Sequence, residues 1–306
     1  MTLPIRIGGY QPLTSTLSQS CQAFADGLRR RLGDGVEIEF RNDIVAEGFE
    51  PNQMIELVAS GELTMGYLAA SYFADLLPES RVFDVLFAVE SRTQAYRFLD
   101  GGYGERQREL LAANSNLRLL GIWDYGFRHI TNARGPIRTP TDCADMRLRI
   151  LLNDLHPRIF QTLGFETLSA QVPEFLARLR AGEDIAQENA LTNFYNFGMQ
   201  EFHRHVSLTG HLLGLANFVC TKSAYEGWPD AVQAAVTEAA AEATNAQRKI
   251  AADDEAAILE TLKSDGCDII ELTAIERQSF VAALSDLMGE YRELIGPHLF
   301  AELDSH

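Results

Sequence analysis

Three side chains offer the most chemistry in this sequence. Arg128 lies within Gly126-Phe127-Arg128-His129-Ile130-Thr131-Asn132, Arg149 within Met146-Arg147-Leu148-Arg149-Ile150, and Asn189 within Ala186-Gln187-Glu188-Asn189. A guanidinium carried on a strand is a planar fork that can grip a carboxylate through two parallel hydrogen bonds. Strand alternation puts Arg147 and Arg149 on one face and Leu148 and Ile150 on the other. Spacing alone leaves two readings open: charges that face solvent, or a rigid anion clamp.

Catalytic motifs are missing. Gly8-Gly9 follows a strand, but Tyr10-Gln11-Pro12 breaks the glycine fingerprint and no Walker lysine follows. Gly101-Gly102-Tyr103-Gly104 reads as a helix end and turn. There is no GxSxG, no HExxH and no cysteine–histidine metal spacing, so neither cofactor nor metal is expected. His203-Arg204-His205 lacks a third ligand and reads as solvated surface. Cys21, Cys143, Cys220 and Cys267 are widely spaced and read mostly as buried free thiols.

The chain has 306 residues, with 43 acidic against 26 basic side chains and a net charge of −17. That balance argues against nucleic acid and against an anionic membrane surface. An anionic ligand would have to be met by a local arginine site working against the global field. At 46% hydrophobic and 23% charged the composition is that of a globular protein, and the length suits two lobes. No apolar run is long enough to cross a bilayer, so no membrane insertion is expected. Met1-Thr2-Leu3-Pro4 leads straight into Ile5-Arg6-Ile7 with no charged or apolar leader. A cytosolic protein, or a mature chain whose signal has been removed, would look like this.

Strands and helices alternate, which predicts an α/β fold with largely parallel sheets. Strands are expected at Ile5–Gly9, Val36–Phe40 and Leu63–Leu68, and separately at Leu117–Trp123 and Phe127–Thr131. Others are expected at Met146–Leu151, Val206–Thr209, Leu215–Thr221 and Cys267–Leu272. Thr14 or Ser15 can cap a helix whose apolar face is Leu17, Cys21, Phe24, Leu28 and Leu32. From Asp230 to Ser264 there is no proline or glycine and alanine abounds, which predicts one helix roughly 50 Å long. That length exceeds one lobe, so the helix should bridge both. Without a flexible tether, the lobes should be joined by several short crossings that act as a hinge.

These motifs, in this order, resemble the solute-binding proteins of TRAP transporters, the DctP-type extracytoplasmic receptors. The similarity runs through Val36-Glu37-Ile38-Glu39, Glu56-Leu57-Val58-Ala59-Ser60-Gly61-Glu62-Leu63 and the Gly126–Asn132 stretch. It continues with Pro136-Ile137-Arg138-Thr139-Pro140-Thr141-Asp142, Arg147-Leu148-Arg149-Ile150, Gln187-Glu188-Asn189 and Ser207-Leu208-Thr209-Gly210-His211. The resemblance implies a two-lobed periplasmic-binding-protein-like fold with a ligand cleft between the lobes. Lobe I would be 1–125 with 213–252, and lobe II 126–212 with 253–306. It implies a periplasmic receptor, not an enzyme, that closes on a small carboxylate and delivers it to TRAP permease subunits. Arg149 would be the main clamp, with Arg128 and Asn189 completing the polar end. Two departures bear on the pocket wall. Cys143-Ala144-Asp145-Met146 stands where the family has a glycine, and Ile150-Leu151 where Val-Pro is common.

The expected ligand follows from the remaining wall. Tyr67-Leu68-Ala69-Ala70-Ser71-Tyr72 carries no charge where relatives that bind sugar acids have charged side chains. Tyr10 and Val172, with Phe83 and Phe87, are further candidates for the wall, each with an equal reading as plain core. A monocarboxylate with a hydrophobic or aromatic body is therefore expected first, a C4-dicarboxylate second and a sugar acid third. Two alternatives remain: a ligand-sensing module using the same trap, and a soluble organic-acid enzyme. The enzyme would need Cys143, His156 or His211 as nucleophile or base.

Overall fold

A computed structural model describes residues 2–306. The elements run β1 (Leu3–Gly8), α1 (Thr16–Leu32), β2 (Val36–Arg41), α2 (Met54–Ala59), β3 (Met65–Ala69), α3 (Arg92–Asp100) and α4 (Gly102–Asn114). They continue with β4 (Leu117–Asn132), β5 (Arg147–Ile150), α5 (His156–Thr162), β6 (Glu166–Ser169), α6 (Val172–Arg180), β7 (Ala186–Ala190) and α7 (Leu191–Asn196). The last are β8 (His205–Thr221), α8 (Lys222–Glu226), α9 (Asp230–Ser264), β9 (Asp268–Glu271), α10 (Ala274–Ile295) and α11 (Pro297–Asp304).

Local chemistry explains the main boundaries. Ser15 caps α1, its Oγ accepting from the Ser18 amide at 3.2 Å. Thr273 opens α10 with a capping box closed by Glu276. Uninterrupted helix formers carry α9 through 35 residues until Gly266, at φ +77°, turns the chain. Two pairs of expected strands are each one strand. β4 runs unbroken through Gly126 (φ +93°) and β8 through Gly210 (φ +51°), glycines that bend the backbone without ending the ladder.

The chain divides into two compact units, Met1–Ser80 with Tyr96–Tyr125 and Leu215–Asp254, and Arg81–Ala95 with Gly126–Gly214 and Glu255–His306. The segment 81–95, expected in the first lobe, belongs to the second unit. Its contacts explain why. Arg81 pairs with Asp154 at 2.7 Å, the Phe87 amide donates to the His211 carbonyl at 2.7 Å, and Arg92 pairs with Glu255 at 2.6 Å.

In the first unit the strand order is β2-β1-β3-β8-β4, with β1 parallel to both neighbours and β3 antiparallel to the last residues of β8. Its core joins Ile5 and Ile7 of β1, Leu17, Phe24 and Leu28 of α1, and Trp123 stacked on Phe218 at 4.6 Å. Ala239, Ala240 and Ala243 let α9 approach this core closely. In the second unit β4 is antiparallel to β7, β5 is parallel to both β7 and β6, and β9 is parallel to the start of β8. Phe175, Leu179, Phe194, Ile258 and Leu262 fill its core. All four cysteines are free and buried, and burial pushes the Cys143 and Cys220 thiols up to about 12. No helix is long and apolar enough to cross a membrane among the described residues.

Candidate functional site

Arg128, Arg149 and Asn189 stand on three successive strands of the second unit. Arg128 on β4 lies opposite Ala190 of β7, Asn189 lies opposite His129, and Arg149 on β5 lies opposite Gln187. All three are buried, Arg149 to 1% exposure. The solvent-facing reading fails for Arg149 because its side chain lies against the Ala170 carbonyl and the Phe175 ring. Arg147, nearer the strand's start, is half-buried and pairs with Glu183 at 3.1 Å.

The Arg149 guanidinium is fixed in orientation. Its Nε donates to the Ala170 carbonyl at 2.7 Å, and its carbon sits 5.9 Å from the centre of the Phe175 ring. Both partners belong to the β6–α6 turn and α6, the helix whose first residue is the half-buried Val172. Asn189 is equally constrained. Its Oδ1 accepts from the Ala190 amide and from Asn193 Nδ2, both at 3.0 Å, while its Nδ2 donates to Gln187 Oε1 at 3.4 Å.

Arg128 is engaged by Glu188, a residue to which the sequence motif assigned no role. Arg128 Nε and Nη2 both donate to the Glu188 carboxylate, and Nη2 also reaches the Glu188 carbonyl at 2.9 Å. Leu151 donates its amide to the same carboxylate at 3.3 Å. Burial works against charge on Glu188, but Arg128 and His211 outweigh it and hold the carboxyl well below the usual range. Three consecutive polar residues between Ile185-Ala186 and Ala190-Leu191 were the available signal. Polar side chains in so apolar a strand are tolerated only when they satisfy one another.

Four histidines and an aspartate are buried in the same unit, and one of them, His211, meets this network. Thr209 Oγ1 and His211 Nδ1 share a hydrogen bond of 2.7 Å, and His211 Nε2 lies 3.6 Å from Glu188. His129 Nδ1 accepts from the Gly210 amide at 3.0 Å, and His156 Nε2 lies 3.2 Å from the Asp84 carbonyl. His203 is buried, against expectation, because it bridges Thr131 and the Ile185 carbonyl, each at 2.9 Å. Burial lowers the pKa of all four histidines, that of His129 to about 3 and of His203 to about 4. Burial instead raises the Asp84 carboxyl, although His156 opposes it.

Tyr10, Tyr67 and Tyr72 belong to the first unit. Tyr67 is a core residue at 1% exposure, and Tyr10 and Tyr72 pack against the same cluster from half-buried positions. The Tyr10 and Tyr67 rings lie 5.3 Å apart. Tyr67 Oη shares a hydrogen bond of 3.1 Å with Ser18 Oγ, and Tyr125 Oη accepts from Gln11 Nε2. Burial and the neighbouring phenols push the Tyr10 hydroxyl well above its ordinary pKa, so the cluster is uncharged. Phe83 is core, and Phe87 holds a left-handed backbone (φ +61°) with Arg277 4.9 Å over its ring.

A family model described as DctP, bacterial extracellular solute-binding protein family 7, matches residues 7–294. Among curated proteins, the 2,3-diketo-L-gulonate-binding periplasmic protein of Escherichia coli is 26% identical over 92% of this chain and 84% of its own length. The C4-dicarboxylate-binding protein of Bacillus subtilis is 25% identical over 92% and 79%. Two solved structures superpose over nearly everything. The sugar acid binding protein of Advenella mimigardefordensis, in complex with galactonate, gives a TM-score of 0.91 at 24% identity, covering 99% of this chain and 97% of that one. A TRAP periplasmic solute binding protein of a Polaromonas species, bound to D-erythronate, gives 0.90 at 26% identity, covering 98% of each.

Proposed function

The chain belongs to the bacterial extracellular solute-binding proteins of family 7, and on that premise we propose that it is the periplasmic receptor of a TRAP-type transporter. It captures a small organic carboxylate and delivers it to membrane permease subunits. The observation that carries this reading is Arg149, a buried strand-borne guanidinium held by Ala170 and Phe175. Orienting a guanidinium before the ligand arrives removes much of the ordering cost of a two-pronged carboxylate contact. Arg128 and Asn189 complete the polar end and the half-buried Val172 stands beside it at the head of α6, whereas Tyr10, Tyr67 and Tyr72 pack in the core cluster of the first unit. The role is binding and not turnover. His156 and His211 have their basicity lowered by burial, and the Cys143 thiol is pushed up to about 12.

The tyrosine cluster favours a ligand with an apolar body. Tyr67 and Tyr125 spend their hydroxyls on Ser18 and Gln11, and the stretch Tyr67–Tyr72 carries no charged side chain, which leaves few partners for the many hydroxyls of a sugar acid. We place a hydrophobic or aromatic monocarboxylate first, a C4-dicarboxylate second and a sugar acid third. The D-erythronate-bound relative supports the third class. A thermal-shift screen across the three classes decides, because a ligand present at about 100 times its Kd stabilises the fold by roughly 2.7 kcal/mol. Stabilisation by sugar acids alone would reverse the order, and none by any carboxylate would remove the receptor reading. Capture by hinge closure predicts a smaller radius of gyration in small-angle scattering once the protein is saturated. An unchanged radius for protein freed of carried-over ligand would count against closure.

A further inference from the structure

The first unit holds a cavity of about 300 Å³ between the start of β4, helix α4 and the first part of α9. Its lining includes three arginines, Arg108, Arg118 and Arg248, against a single carboxylate, Asp100. That excess of positive charge stands out in a chain of net charge −17. Arg248 uses Nη1 and Nη2 on the two Asp100 oxygens, at 2.6 and 2.8 Å, and lies 4.4 Å over the Tyr96 ring. Its side chain is only 10% exposed, and its buried Nε has no hydrogen-bond partner among the described residues. Arg118 is set 4.1 Å over the Tyr225 ring, which orients a guanidinium without neutralising it. Among the described residues neither Arg108 nor Arg118 makes an ion pair or a hydrogen bond.

We propose that this groove is a second anion site, distinct from Arg128 and Arg149, that takes a compact multivalent oxyanion. The arithmetic of charge sets the class. Asp100 neutralises one guanidinium of three, so a monoanion would leave the groove still positive, while a polyanion balances it. Of the three neutral hydrogen-bonding side chains in the lining, Thr237 and Thr244 are engaged by Tyr225, Trp123 and the Ala240 carbonyl, and Asn245 is the one that suits an oxyanion edge. The volume sits at the small end of ligand sites, which fits a molecule the size of citrate or pyrophosphate. Those two probes share this chemistry and represent its two sources, oligocarboxylates and condensed phosphates.

The test is calorimetric titration of citrate and of pyrophosphate into the full chain at low ionic strength, with acetate as the monovalent comparison. Saturable binding of either probe, absent for acetate and weakened at least about tenfold by Arg108→Gln, supports the site. Arg118→Met, which keeps a stem to pack on Tyr225, should have the same effect. If that variant fails to fold, the exposed Arg108→Gln decides alone. Binding that is unchanged by Arg108→Gln would place the anion elsewhere and overturn the proposal. So would failure of both probes to saturate at about 10 mM, the range that even weak charge-assisted contacts should reach.

Discussion

At the scale of single residues, Arg149 and Arg128 show how one side-chain type takes two roles on the two strands that flank β7. Arg128 is charge-balanced within the protein by Glu188. Arg149 has its plane set by a neutral carbonyl and an aromatic ring. If it is the clamp, Arg149→Ala strands a ligand carboxylate in a dried site, a change that typically costs ~2–5 kcal/mol. Binding should weaken by at least roughly 30-fold in calorimetry with the cognate ligand. Arg149→Lys should also lose affinity, because an ammonium cannot reproduce the two-pronged contact. Wild-type affinity in the alanine variant would remove Arg149 from the site.

At the scale of elements, β4 places Arg128 and spaces it from the rest of the network. The strand reaches Arg128 through Gly126, whose φ of +93° suits glycine and strains other residues. A Cβ at that position would also meet the Ala190 Cβ of β7 at 3.1 Å. Gly126→Ala should therefore cost about 1–3 kcal/mol and disturb the β4–β7 ladder on which the Arg128–Glu188 pair depends. Chemical denaturation should show a lower midpoint at an unchanged slope, and an unshifted midpoint would mean that β4 absorbs the change. The sequence alone split β4 and β8 at these glycines because a glycine inside an apolar run reads as a break. Only the partner strand shows that the ladder continues across it.

At the scale of the whole molecule, buried titratable groups tie stability to pH. His129 and His203 are held at about 3 and about 4, and His156 and His211 are also lowered, all by burial. In the unfolded chain each takes up a proton near pH 6.5. Between that pH and the folded values the unfolded state binds more protons, so stability falls as pH falls. Glu188 adds a loss of the same sign below the ordinary carboxylate range, while Asp84, raised by burial, opposes it as one group against several. Thermal melts at pH 7 and pH 5 should differ by roughly 4 °C or more, lower at pH 5. An equal or higher midpoint at pH 5 would show that these histidines are not buried neutral.

The sequence by itself determined the alternation of strands and helices, the capped start of α1 and the uninterrupted span of α9. Each of these depends on local chemistry: propensity, capping and glycine stops act within a few residues of where they are written. It also pointed to Arg128, Arg149 and Asn189, because strand-borne polar residues in apolar surroundings leave a mark on the pattern. Tertiary structure alone decided what each of them touches. Glu188 lies 60 positions from Arg128, and Ala170 lies 21 from Arg149. The placement of 81–95 with the second unit and the burial of His203 were likewise hidden. Both are set by partners distant in the chain, and no periodicity in a single strand or helix encodes which distant neighbour will cover it.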